Sequence, residues 1–433
     1  MGHLGNLKEE YRALVHRLGA GTVALPEPTD PRAWQGWREI LEILYSPEEA
    51  DLASRMPVLP TPLSDVSKRL GIPEPELRPR LDAMCDKGLV LDLVHSRTGE
   101  TKYLLAPPVV GFFEFSMMRA SDGIPKRRMA EALDAYTHFD EAFAREALGT
   151  ETVIGRSLVH ETALDDPPPD TLEWERATSI VREAKTAAVS LCYCRHKAEH
   201  LGTRCDAPID CCLSLDGGAE FVIRRGFGRA VETTEAMEIL LRSRESGLVQ
   251  IADNVQDRPS YICNCCGCCC GQLQAINHFG LHAVNPSGFA PACDEARCKG
   301  CSSCSRACPI TAISMHARRT EAKRSNGMWP RFDADRCIGC GVCAWACPQK
   351  AIRMTRREAP PYVPLNVIEK SIRMCLERGR LADLLFDEGA SRGSRFLNQV
   401  LKAIVSLPPV QRLLASEQVR SRFVRAALAR VSL

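Results

Sequence analysis

Cys298-Lys-Gly-Cys301-Ser-Ser-Cys304-Ser-Arg-Ala-Cys308-Pro309 and, further on, Cys337-Ile-Gly-Cys340-Gly-Val-Cys343-Ala-Trp-Ala-Cys347-Pro348 both follow the pattern C-x2-C-x2-C-x3-C-P. Three thiolates at two-residue spacing wrap one corner of a cubane iron-sulfur cluster, and the fourth, beside the proline, points at a neighbouring cluster. The ligand sets are therefore expected to cross. Cys298, Cys301, Cys304 and Cys347 would hold one [4Fe-4S] cluster, and Cys337, Cys340, Cys343 and Cys308 the other. Zinc prefers two pairs of ligands to three plus one, so it fits this spacing poorly. Trp345 and the isoleucines at 310, 313, 338 and 352 are expected to pack around the clusters and keep them dry.

On these residues the segment resembles a bacterial two-cluster ferredoxin, which implies one-electron transfer. The surrounding chain carries far more thiols than such a domain needs. Cys192-Tyr-Cys194-Arg-His-Lys is followed by Gly202-Thr-Arg-Cys205-Asp-Ala-Pro-Ile-Asp-Cys211-Cys212-Leu, and later by Ile262-Cys263-Asn-Cys265-Cys266-Gly-Cys268-Cys269-Cys270-Gly. Cysteines two apart on a strand share a face, so Cys192 and Cys194 are expected to grip one centre that Cys205 and Cys212 complete. Arg195, Lys197 and Arg204 would offset part of the cluster's negative charge. His196 and His200, four apart, either join as ligands, which favours zinc, or form a solvated or hydrogen-bonded helix face. An extended block would place Cys263, Cys265 and Cys269 on one face and Cys266, Cys268 and Cys270 on the other. Alternatively, Gly267 makes a turn and folds the two halves around a single larger or non-cubane cluster; either way, one segment can serve two centres. Cys211, Cys293 and Cys375 follow no clear pattern.

Taken together, these motifs resemble anaerobe iron-sulfur-binding proteins of the 4Fe-4S ferredoxin type, over residues 171–360. The resemblance implies cluster binding and electron transfer without naming a substrate. In that pattern the residue before Cys212 is apolar; Cys211 departs from it, which leaves its ligation open.

The chain has 433 residues, 22 cysteines and a formal net charge of +2. Its length allows several domains, its charge implies no strong pull toward nucleic acid or membrane, and its thiols point to a reducing compartment. The polar N-terminus is no signal peptide and no apolar run is long enough to span a bilayer, so a cytoplasmic location is expected. Gly226-Phe-Gly228 meets Val231 in the third place, so no dinucleotide fingerprint is visible. Electrons are expected to come singly from, or go to, a redox protein or enzyme complex.

The expected fold is α+β and multi-domain: a helical arm (1–30), a winged-helix-like module (31–120), a helical connector (121–170), a cysteine-rich α/β domain (171–290), a two-cluster ferredoxin-like domain (291–360) and a basic helical tail (361–433). The second of these rests on helices over Thr61–Leu70 and Glu74–Lys87, stopped by Gly71 and Gly88, and on strands Val90–Val94 and Thr101–Leu105 around a turn at 96–99. This order resembles a winged helix. Residues 1–120 carry 14 basic against 17 acidic side chains, whereas DNA contact is chiefly phosphate neutralisation by Lys and Arg; docking or dimerisation suits the module better. A basic loop (His316, Arg318, Arg319, Lys323, Arg324) could steer an acidic partner. The tail, with eight Arg or Lys against one Glu over 391–433, suits an acidic partner helix, a membrane surface, or packing on the protein itself. Three functions follow from this reading: an electron carrier with two [4Fe-4S] clusters and at least one further cluster; a reductase whose unusual cluster, held by the cysteine-rich domain, is catalytic; and a redox-responsive DNA-binding regulator.

Overall fold

The computed structural model describes residues 7–95, 98–164, 172–317, 327–386 and 398–399. The turn residues Ser96 and Arg97, the Asp165–Pro169 linker, Arg318, Arg319, Lys323 and Arg324 of the basic loop, and nearly all of the 391–433 tail lie outside them. The chain divides into two compact units: Met1–Thr152 with Arg224–Gly226 and Leu365–Leu433, and Val153–Ile223 with Phe227–Pro364.

In the first unit, Asp30 caps the helix Pro31–Leu44 and Ser46 closes a capping box with Glu49 on the helix Pro47–Arg55. These side chains satisfy backbone N–H groups that a helix start leaves without partners. Helices Leu63–Leu70 and Glu74–Asp86 follow, and β1 (Thr61–Pro62), β2 (Val90–Val94) and β3 (Thr101–Leu105) form an antiparallel sheet in the order β1-β3-β2. Gly71 and Gly88 both take positive φ where the helices stop, as left-handed C-caps require. Arg225 binds three carboxylates, Asp82 at 2.7 Å, Asp86 at 2.9 Å and Asp92 at 2.8 Å, so acids on the second helix and on β2 are neutralised within the unit. The start of the tail carries two helices, Val367–Glu377 and Leu381–Leu385, with Gly379 at φ 69° between them.

In the second unit a six-stranded antiparallel sheet runs β4-β8-β9-β6-β5-β7: β4 (Gly155–Ser157), β5 (Ala187–Leu191), β6 (Asp210–Leu215), β7 (Arg229–Val231), β8 (Val249–Asp253) and β9 (Tyr261–Cys265). β4 falls in a stretch the sequence suggested was helical; its three residues are all buried against β8. Helices Ala177–Glu183 and Thr233–Glu245 cover one face through Ile180, Val181, Ala236, Ile239 and Leu240, which pack on Val189, Leu213 and Ile262. Two antiparallel pairs follow: β10 (Phe289–Cys293) with β13 (Ile352–Arg356), and β11 (Ile313–Ala317) with β12 (Met328–Phe332). Among the described residues no helix is long and apolar enough to cross a membrane.

Candidate metal centres

The two four-cysteine motifs fold as duplicated loops. Gly300 and Gly339 both have φ 68°, Ser302 and Gly341 have 63° and 81°, and Thr311 and Lys350 have 53° and 47°. Left-handed residues recur at equivalent places because each loop must turn its backbone inward around three thiols. At Gly339 the requirement is also steric, since a Cβ would sit 2.2 Å from the Phe289 carbonyl oxygen. Cys298, Cys301, Cys304 and Cys347 line one cavity together with Met315, Pro330 and Ile352. Cys308 lies instead within electrostatic reach of Cys337, Cys340 and Cys343. Each motif thus sends its fourth cysteine across to the other three.

The sulfurs also receive backbone donors: Gly300 N to Cys298 Sγ at 3.4 Å, Ala312 N to Cys308 Sγ at 3.2 Å and Ala351 N to Cys347 Sγ at 3.3 Å. Donors of this kind stabilise negative charge on sulfur and set the potential of a bound cluster. Burial pushes the Cys340 thiol up to about 12 and raises those of Cys337 and Cys343. Such thiols give up their protons when a cation arrives to compensate them. Thiol donors in this arrangement, with a cavity among them, fit [4Fe-4S] clusters. Ile310, Ile313, Ile338 and Ile352 are buried around them, but Trp345 is 44% exposed, its ring 3.2 Å from where a Cβ on Gly247 would lie, so it sits at the surface and does not seal the site.

Cys293, which had no pattern in the sequence, lies beside Cys298 and within reach of Cys304 and Cys347; burial first, then the charge of Cys298, pushes its thiol up to about 12. The β10–β13 register, Cys293 opposite Ile352, carries it there. Cys375 is buried in the other unit, and Cys85 likewise.

The second cysteine system departs from the expected grouping. Cys192 and Cys194 are not on a strand: β5 ends at Leu191, Cys192 is the N-cap of the helix Tyr193–His200, and Cys194 lies in its first turn. β9 ends at Cys265 and the chain then turns, so the two-faced alternation expected from Cys263 to Cys270 does not continue. Ten of the eleven thiols sort into two sets, and Cys211 adjoins the second. Cys205, Cys266, Cys268 and Cys269 have all four sulfurs within 4.8 Å of one another, with Cys205–Cys266 and Cys268–Cys269 at 3.7 Å and Cys269–Cys205 at 4.0 Å. Cys205 therefore does not join Cys192, Cys194 and Cys212.

The other set closes on itself. Cys192 meets Cys194 and Cys212, Cys194 meets Cys270, Cys270 meets Cys265, Cys265 meets Cys263, and Cys263 meets Cys212. Hydrogen bonds from their neighbours hold Cys192 and Cys270 well below the usual thiol range and Cys263 at about 6, while Cys194, Cys212 and Cys265 are held high because they donate those bonds. Cys211 adjoins the ring through a bulge, since Ser190 pairs with Cys212 and Leu191 with Asp210, leaving Cys211 as the extra residue. A bulge bends its strand and re-aims side chains; here Cys211 lies beside Cys192 and Cys212, and donation to Cys192 pushes it up to about 12.

Arg195, 1% exposed, lies among these thiols. Its Nη1 donates to Pro208 O at 2.9 Å and to Cys211 Sγ at 3.0 Å, and its Nη2 to Asn264 O at 2.7 Å. Burial opposes its charge, but Cys192, Cys211, Cys266 and Cys265 outweigh that and hold the guanidinium protonated. His196 and His200 bring Nε2 atoms to 3.1 Å of each other. Among the described residues neither histidine belongs to a compact group of ligating atoms.

A cavity of about 300 Å³ is lined by Arg156, Trp174, Glu175, Phe289 and Arg356. Its cations are already committed, Arg356 to both Glu175 oxygens at 2.7 Å and Arg156 to the Val255 and Trp174 carbonyls.

Comparison with known proteins places a 4Fe-4S dicluster domain at residues 297–351. No curated protein and no solved structure matches the chain. The chain therefore carries a dicluster ferredoxin domain and, around residues 192–270, a second cysteine-rich cluster that no comparison covers.

Proposed function

We propose that the protein is an iron-sulfur electron carrier that relays single electrons between a partner redox protein and its own cysteine-rich region. The dicluster domain supports electron transfer, and the contact that carries the rest is between the two thiol systems. Gly267, inside the Cys266-Gly-Cys268 loop, packs so closely on Pro309, next to Cys308, that a Cβ would lie 2.3 Å from the Pro309 carbonyl oxygen. Asn277 Nδ2 donates to that same carbonyl at 3.0 Å, and Arg336 Nη2 braces Asn277 Oδ1 at 2.9 Å.

A [4Fe-4S] cluster, when bound, takes up and gives back one electron. In the ligand assignment we propose, Cys298, Cys301, Cys304 and Cys347 hold one and Cys308, Cys337, Cys340 and Cys343 the other. Cys301 is exposed, so that end would meet the partner, while Pro309, next to Cys308, packs on Gly267 of the cysteine-rich region. The buried isoleucines keep water away from the sulfurs between these two ends. We place the carrier in a reducing, cytoplasmic setting, which suits 22 cysteines without a disulfide, and take the residue 31–120 module as a docking element.

The test is anaerobic purification followed by reduction with a low-potential donor, with EPR at stepped potentials. Two one-electron [4Fe-4S] couples, reoxidised by an added acceptor protein and not by buffer alone, are expected. A protein with fewer than about eight irons per chain, or one whose bound irons cannot be reduced, refutes the reading.

A further inference from the structure

We infer that the cysteine-rich region holds two metal centres of different kinds: a single tetrahedral ion on Cys205, Cys266, Cys268 and Cys269, and a polynuclear iron-sulfur cluster on the ring of Cys192, Cys194, Cys212, Cys263, Cys265 and Cys270. The two sets share the block 263–270 but no thiol.

Sulfur spacing separates them. Four thiolates about 2.3 Å from one zinc at tetrahedral angles stand about 3.8 Å apart, and the first set already has sulfurs at 3.7, 3.7 and 4.0 Å. Thiolates on a cubane each bind a different iron and stand farther apart, so this set is too tight for one. It is a site for zinc or for a lone iron.

The ring is the opposite case. Each of its six thiols has two others of the ring within electrostatic reach, and these neighbours close a path. Yet among the described residues only the tetrad gathers its ligating atoms within 4.8 Å. One ion at the centre could not reach six sulfurs so arranged; a wider body can. A cubane offers four terminal positions, so six thiolates call for more than four irons. The surroundings suit an anionic cluster: Arg195, 1% exposed, lies beside the ring, and its buried Nε has no hydrogen-bond acceptor. Ring thiols come from rigid places: the N-cap and first turn of one helix, the middle of β6, two same-face positions of β9, and the N-cap of the helix Gly271–Phe279. Assembly would use ferrous iron and sulfide, each coordinated thiol releasing its proton.

The experiment is iron, zinc and acid-labile sulfide analysis with Mössbauer spectroscopy on the anaerobically purified full chain, beside Cys205→Ser/Cys269→Ser and Cys194→Ser/Cys265→Ser variants. The native chain is expected to hold more than about twelve irons, of which the dicluster accounts for about eight, plus one zinc or one isolated iron. The first variant should lose that one ion and keep the rest. The second should lose more than about four irons and keep both the isolated ion and the dicluster EPR signals. About eight irons in the native chain would leave the ring without a cluster and overturn the inference whether or not either variant folds. About twelve would make the ring a four-thiolate cubane and overturn the six-fold ligation. Loss of the same irons in both variants, with dicluster signals intact, would merge the two centres into one. Dicluster signals missing from the native chain would refute the proposed function instead, so the two failures are distinguishable.

Discussion

Replacing Gly267 by alanine tests the contact through which the proposed relay would couple the two thiol systems. An ideal Cβ there lies 2.3 Å from Pro309 O and 3.0 Å from both Pro309 C and Cα. All three are backbone atoms, so no side-chain end can swing aside. Reaching ordinary van der Waals separation requires the 266–268 and 308–310 segments to part by about 1 Å. The second segment is held by Asn277 on Pro309 O and by Arg336, whose Nε donates to Ile310 O at 2.5 Å, so it resists. Overpacking of this kind costs about 1–3 kcal/mol. For a unit of about 200 residues, at 2–4 °C per kcal/mol, the apparent Tm should fall by about 2–12 °C. The assay is loss of visible absorbance on anaerobic heating at a fixed scan rate, because cluster loss makes unfolding irreversible. Stopped-flow reduction of the same samples should show the cysteine-rich irons reduced more slowly than in the native chain while dicluster reduction keeps its rate. A Tm within about 1 °C of native, together with unchanged kinetics, would refute the close approach and the route through it.

Cys308→Ser should abolish the same EPR signal as Cys340→Ser and leave the other cluster's signal in place; loss of the signal abolished by Cys298→Ser would show that the ligand sets do not cross. Zinc affinity of the apo tetrad should rise with pH. Hydrogen bonding from Cys269 holds Cys266 at about 5, whereas burial pushes Cys268 up to about 12 and donation to Cys266 holds Cys269 high. At neutral pH at least the Cys268 and Cys269 protons must therefore leave, and affinity should climb at least about 100-fold per pH unit between pH 6.5 and 8; a flat profile in chelator competition would contradict this. Arg195→Met removes the buried cation and strips the Pro208 and Asn264 carbonyls of their donor, a cost of about 1–3 kcal/mol for each. It should speed metal loss to a chelator, and Arg195→Lys should restore part of the retention; native retention in Arg195→Met would remove the charge-compensation argument.

The dicluster domain was legible because its ligands are local. In C-x2-C-x2-C the spacing itself dictates which thiols converge, and the prolines mark where the fourth departs. The cysteine-rich region obeys long-range pairing. Cys212 meets Cys263 because β6 and β9 are neighbours, with Leu213 opposite Ile262, and nothing near either residue encodes that register. Cys205 was grouped with Cys192 and Cys194 from proximity in sequence, but the loop after the helix Tyr193–His200 carries it to the 266–269 turn. Cys211 could be flagged as an extra residue but not placed, since a bulge is a property of two strands together. Cys293 carried one usable signal, its position five residues before Cys298 on a stretch that pairs with the strand after Cys347.

Between Cys265 and Cys270 the block leaves the ring, contributes three thiols to the tetrad and returns. An ion on Cys266, Cys268 and Cys269 would close a loop whose two ends are the inferred ring ligands, so the ion would fix the distance between Cys265 and Cys270 before the ring bound anything. Closing a short loop in advance removes conformational freedom that binding at the ring would otherwise have to overcome. Gly267, at the middle of that loop, is also where it touches Pro309. One turn of backbone thus joins three requirements: the geometry of a single ion, the spacing of two ring thiols, and contact with the dicluster. On the two-centre inference, six cysteines crowd into eight residues because one short loop would serve both the ion and the ring.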